Sequence, residues 1–171
     1  MIETAVRLIS EDGVASLSMV AMARTMGIDR TTIYYHFKDR EALISEVKIW
    51  SSAQLMRAFS FDASLEERID YTTRYVLENP ELMKLWIDDF ISVSDIRNSF
   101  PLWDKMIQGF APKGETGEQQ TIDAEIYFVN LLTSAIIGPR VFKNSVCPEA
   151  DTETIVRRFR IERLRLIKYS S

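Results

Sequence analysis

Arg30, Thr31, Tyr34 and Tyr35 gather on the polar side of one short amphipathic segment, and together they offer the chemistry of reading a nucleic-acid duplex. A guanidinium matches the paired acceptors of a guanine edge, a threonine brings a hydroxyl or a methyl group to a base, and a tyrosine hydroxyl reaches a phosphate. Catalysis finds far less to work with. The lone histidine, His36, lies in the same segment, the lone cysteine is Cys147, and the six glycines form no phosphate-cradling loop. Metal ligation would rest on carboxylates alone. Asp88 and Asp89 are adjacent, and neighbours on a helix point about 100° apart, which prevents them from sharing one substrate atom. The chain is therefore read as a non-enzyme, with no cofactor and no bound metal.

The duplex-reading side chains need a scaffold, and the run SMVAMARTMGIDRTTIYYHFK from Ser18 to Lys38 supplies one. Met22, Ala23 and Met26 lie on one side of a first segment, with Ala21 and Ala23 small enough for a second helix to approach closely. Gly27 can take the positive φ of a sharp turn. Beyond it, Ile28, Ile33 and Phe37 are spaced to bury into the same small core, which leaves Arg30, Thr31, Tyr34 and Tyr35 facing outward. Taken alone, the pattern fits an ordinary helical hairpin as well as a helix-turn-helix whose second helix enters a major groove with its N-terminal residues nearest the bases.

The ending of the segment separates the two. Ile33-Tyr34-Tyr35-His36-Phe37-Lys38-Asp39-Arg40-Glu41-Ala42-Leu43 resembles the TetR family of one-component transcriptional regulators, whose helix-turn-helix ends in Leu/Ile-Tyr-x-His-Phe followed by a basic residue and a new helix. Gly13, Ala23, Gly27 and Ile28 add to the resemblance, as does Ser18 where the family usually has threonine; it covers about the first 50 residues. The resemblance implies a homodimer in which each subunit places its third helix in one half of a near-palindromic operator on double-stranded DNA. It also implies a divergent helical domain that binds a small-molecule effector. By position, Arg30, Thr31 and Tyr34 become base readers, and Ser18, Thr32, Tyr35, His36 and Arg40 phosphate anchors. The family's usual basic residues ahead of helix one have no counterpart in Met1-Ile2-Glu3, which leaves either a trimmed start or missing backbone contacts.

Net charge does not carry the DNA reading. Through Trp50 six basic residues stand against seven acids, and the whole chain is at −4. A basic patch can exist only locally, near Arg30, Lys38 and Arg40, with Asp29 and Asp39 beside them. Nonspecific affinity should be modest and salt-sensitive, and specific contacts in two half-sites must supply the rest.

At 171 residues and 46% hydrophobic content, the chain has material for a DNA-binding domain over residues 1–50 and a larger helical effector-binding and dimerisation domain over residues 51–171, all-α throughout. No apolar run approaches the ~20 residues needed to cross a bilayer, and no basic-then-apolar leader opens the sequence, so no membrane partner and a cytoplasmic location are expected. Cys147, beside Pro148, reads as a passive thiol in a loop. Punctuation marks the later helices. Asp39 caps the fourth, which runs toward Ala58. Ser64 with Glu67 makes a capping box for the fifth, and Asn79-Pro80 starts the sixth. Ser99-Phe100-Pro101 restarts the chain, Ala111 to Gln120 is a loop, and a long apolar helix from Ile122 ends or kinks at Gly138-Pro139. A last helix begins at Thr152.

Tyr75, Trp86, Phe90, Trp103 and Tyr127 are candidate walls of an apolar or aromatic effector pocket, with plain core as the alternative. Either Asp88 or Asp89 facing that pocket would favour a cationic or hydroxylated ligand. Phe128, Leu132, Ile136, Ile155 and Phe159, on the last two long helices, are candidates for a four-helix interface with a second copy, again with the subunit's own core as the alternative. The expected mechanism is repression released when an effector moves the fifth and sixth helices against the fourth and changes the separation of the two reading helices. A regulator controlled by a protein partner, without a small effector, is the competing reading.

Overall fold

A computed structural model describes residues 1–57, 63–92, 95–99, 103–110 and 123–169, and among these every regular element is helical. In order they are α1 (Ile2–Asp12), a 3-10 turn (Val14–Ser16), α2 (Met19–Met26), α3 (Arg30–His36), α4 (Arg40–Met56), α5 (Leu65–Glu78), α6 (Pro80–Ile91), α7 (Ile96–Ser99), α8 (Trp103–Phe110), α9 (Ala124–Val141), a π turn (Phe142–Val146) and α10 (Thr152–Tyr169). The expected loop from Ala111 to Gln120, the restart around Phe100-Pro101 and the start of the long helix at Ile122 fall outside the described residues. No helix among those described is long and apolar enough to cross a membrane.

Helix ends follow the local chemistry. Ser18, Asp29, Asp39, Ser64 and Asp123 each accept a backbone N–H from the first turn of the helix they precede. At Ser64 the box is complete, because the Glu67 carboxylate accepts the Ser64 N–H at 2.7 Å while Ser64 Oγ accepts the Glu67 N–H at 3.2 Å. Asn79 departs from its expected role. Its side-chain amide donates backward to the Tyr75 carbonyl at 2.8 Å, leaving Pro80 alone to start α6.

One apolar core runs from α1 to α9. Ala5, Ile9, Met22, Ile33, Leu43 and Val47 join Trp86, Phe128 and Ile136 in a continuous cluster. α1 packs on α2, α4 and α6; α5 lies between α9 and α10; α8 covers α9. α4 passes through Trp50 without a break and carries Leu43, Val47 and Leu55 into the same core that holds Trp86 and Phe128.

Of the two outcomes expected at Gly138-Pro139, an end or a kink, the end does not occur. α9 continues through a buried Pro139 to Val141 and widens into the π turn, which the Cys147 N–H closes on the Phe142 carbonyl at 2.9 Å. Proline removes the N–H that would have bonded Ala135, but its ring is buried, and Gly138 lets Phe159 of α10 approach to where a Cβ would meet its ring at 3.2 Å. Phe159 of α10 is thus in close contact with α9 one residue before the proline.

Candidate nucleic-acid interface

Two short helices and the turn between them set the geometry. Gly27, at φ 64° and ψ 32°, ends α2 in the left-handed region. The Ile28 N–H returns to the Ala23 carbonyl at 3.1 Å and the Gly27 N–H to Arg24 at 3.3 Å, a Schellman closure that aims the chain into α3. Asp29 then opens α3 by accepting both the Thr31 N–H at 2.8 Å and the Thr31 hydroxyl at 2.5 Å. Those two bonds hold the Asp29 carboxyl below the ordinary aspartate range, so its charge is tied to the helix end.

Ile33 and Phe37 are buried beneath α3 in the cluster that holds Met22, Ala23 and Leu43, and they fix its roll. Every residue expected to read or grip DNA from α3 therefore faces out: Arg30, Thr31, Thr32, Tyr34, Tyr35 and His36 are all exposed. Tyr35 is 87% exposed, an unusual position for an aromatic ring in a free protein. The Arg30 guanidinium lies 5.8 Å from the centre of the Tyr34 ring, which holds it near the N-terminal end of the row. Thr31 commits its hydroxyl proton to the bond with Asp29, so toward a base it presents a methyl group and an accepting oxygen. Lys38, exposed just past the helix, adds a cation to this face. Ser18 is half-buried as the α2 cap, accepting the Ala21 N–H at 3.1 Å.

Arg40 sits differently from expectation. Its Nε donates to the Leu17 carbonyl and its Nη2 to the Val14 carbonyl, each at 2.7 Å, so the guanidinium faces inward and ties the start of α4 to the turn between α1 and α2. The sequence carried no sign of this, because both acceptors are backbone groups more than twenty residues away.

α4 is fastened again farther along. Lys48 pairs with Asp89 of α6 at 2.6 Å. The buried Ser51 hydroxyl lies 2.9 Å from the Tyr75 hydroxyl and accepts the Trp86 indole N–H at 3.2 Å, and Tyr71 donates to the Gln54 carbonyl at 3.0 Å. Of the expected pocket walls, Trp86 and Trp103 are core residues, the first against Phe90 and the second edge-on to Phe128 at 5.0 Å. Tyr75 and Phe90 are half-buried, and Tyr127 is on the surface. Asp89 faces Lys48 and Asp88 faces solvent. A cavity of about 270 Å³ lies elsewhere, an open polar groove between α5 and α10 lined by Asp70, Glu153, Thr154, Arg157 and Arg160.

The five residues expected at an interface between copies are turned inward. Phe128, Leu132, Ile136 and Ile155 are buried within the subunit itself, and half-buried Phe159 packs on Phe142. α9 is apolar on nearly every side, and its Phe128, Leu132, Ala135, Ile136 and Pro139 stripe faces the core. The opposite face leaves Ile126, Val129 and Val141 in solvent, with Ile161 of α10 similarly exposed.

Comparison with known proteins agrees with this geometry. Residues 1–47 match the family model of bacterial regulatory proteins of the tetR family. Over 47 residues the chain is 43% identical to the HTH-type transcriptional regulator AcrR of Shigella flexneri, a match spanning 28% of this chain and only 22% of that regulator. In fold, it is similar to a transcriptional regulator from Aquifex aeolicus VF5, with a TM-score of 0.62 at 18% identity over 97% of this chain and 96% of the other. It is likewise similar to the TetR family transcriptional regulator PfmR from Thermus thermophilus, with a TM-score of 0.60 at 19% identity, covering 96% of each chain. The helix-turn-helix thus carries the sequence pattern, and it is residues 1–47, not the whole chain, that are similar to the regulatory proteins of the tetR family.

Proposed function

We propose that the protein is a homodimeric transcriptional regulator that places α3 of each subunit in the major groove of a near-palindromic operator and represses until a small apolar or aromatic effector binds its second domain. The observation that carries this reading is the exposed row of Arg30, Thr31, Tyr34 and Tyr35 over the buried Ile33 and Phe37, with a matched family domain beneath it. Arg30, Thr31 and Tyr34 read base edges; Ser18, Thr32, Tyr35 and His36, joined by Lys38, grip phosphates. Support for the second copy comes from the apolar side chains left in solvent on the outer faces of α9 and α10, Ile126, Val129, Val141 and Ile161. Support for control from the second domain comes from α4, which is fastened to the reading module by Arg40 and to α5 and α6 by Ser51 and Lys48.

Selection of bound sequences from a random duplex library tests the reading. The expected product is an inverted repeat whose half-sites are centred about 34–36 Å apart, one helical turn, or a multiple of it. Folded, dimeric protein that enriches no sequence would defeat it.

A further inference from the structure

We infer that Lys48 and Asp89 are a positioning pair for DNA reading: their ion pair sets the angle at which α4 presents the reading module, and this inference rests on the function proposed above. The pair joins α4 to α6 across 41 residues of sequence at 2.6 Å, with side chains only 20% and 18% exposed. Water screens such a pair much less than a surface one, and its geometry is correspondingly firm.

Its place on α4 gives it leverage. Lys48 lies two helical turns beyond Arg40, about 12 Å along the axis, and Arg40 grips the Leu17 and Val14 carbonyls of the turn between α1 and α2. Ser51, one turn farther on, is held by hydrogen bonds to Tyr75 and Trp86. A helix pinned at Ser51 and at Arg40 can still pivot about its own packing, and the bond from Lys48 to α6 is a charged contact between those pins. Asp89 stands near the end of α6, three residues beyond the buried Trp86 and beside the half-buried Phe90. A shift of α6 that moves the Trp86–Phe90 pair therefore moves the Asp89 carboxylate, and the Lys48 ammonium must follow it or let go.

The experiment compares full-length wild type, Lys48→Met, Asp89→Asn and the exchanged pair Lys48→Asp/Asp89→Lys on the operator selected with the wild type. Both single variants should bind it about two- to thirtyfold more weakly, with the selected sequence unchanged. The exchanged pair should recover most of the loss, which a merely structural contribution from either methylene stem would not produce. Thermal melting establishes that each protein is folded, and the near-isosteric Asp89→Asn serves if Lys48→Met is not. Wild-type affinity in both folded single variants, or an exchanged pair no better than either, would overturn the assignment while leaving the function intact. Failure of the wild type to select any DNA would defeat the function and this assignment together.

Discussion

Removing the Arg40 guanidinium deletes two hydrogen bonds from a charged donor to backbone carbonyls, each of a kind that contributes about 1.5–3 kcal/mol where it is shielded from water. Arg40→Ala should therefore lower the unfolding free energy by about 2–3 kcal/mol in urea titration; a residue that only gripped phosphate would leave stability unchanged and reduce the salt slope of DNA binding by about one. Arg30→Ala should do the reverse, keeping the fold while costing ~1–3 kcal/mol of operator affinity and relaxing the preferred sequence in a repeat selection. Burial pushes the Tyr75 hydroxyl up to about 12, with Ser51 opposing the shift in part. The folded state thus holds this proton more tightly than the unfolded chain, whose tyrosines titrate near about 10. Its contribution is complete below about pH 10 and is lost as pH rises toward about 12, a decline that should flatten in Tyr75→Phe when stability is followed against pH. The outward row on α3 was legible residue by residue because it depends on helical spacing and a short signature. The inward turn of Arg40 was not, because its partners are main-chain groups brought close only by the fold.

At the level of elements, the turn between α2 and α3 is the most sharply determined piece. Nothing lies within 4 Å of where a Gly27 Cβ would stand, so Gly27→Ala should cost about 1–2 kcal/mol through backbone strain alone, measurable as a lower thermal midpoint without any change in core packing. Caps at Asp39 and Ser64 could be read directly, since donor and acceptor are three residues apart. α9 resisted reading for the opposite reason. With apolar side chains around its whole circumference, its pattern does not tell which stripe meets the subunit core, and Pro139 left an end and a kink both open, where the helix in fact runs on beside the close contact between Gly138 and Phe159.

For the whole molecule, the faces left uncovered decide what assembles. Ile126→Asp combined with Ile161→Asp should leave the subunit folded yet monomeric in sedimentation, with affinity for an inverted repeat falling toward that of a half-site; an unchanged dimer would place the interface elsewhere. The all-α class was visible in sequence because helical periodicity and capping are local. Which surface meets a second copy depends on what the subunit has already consumed, and that only the assembled core reveals. The Arg40 clamp also bears on protein engineering. Its guanidinium and both receiving carbonyls lie within residues 1–47, the matched stretch, so this module holds its own start of α4 in place and should transplant as one piece onto a different helical host. Lys48, the next residue, has its counter-charge in the remainder of the chain, so a chimera cut between the two separates that lysine from Asp89 unless the host provides a matching group.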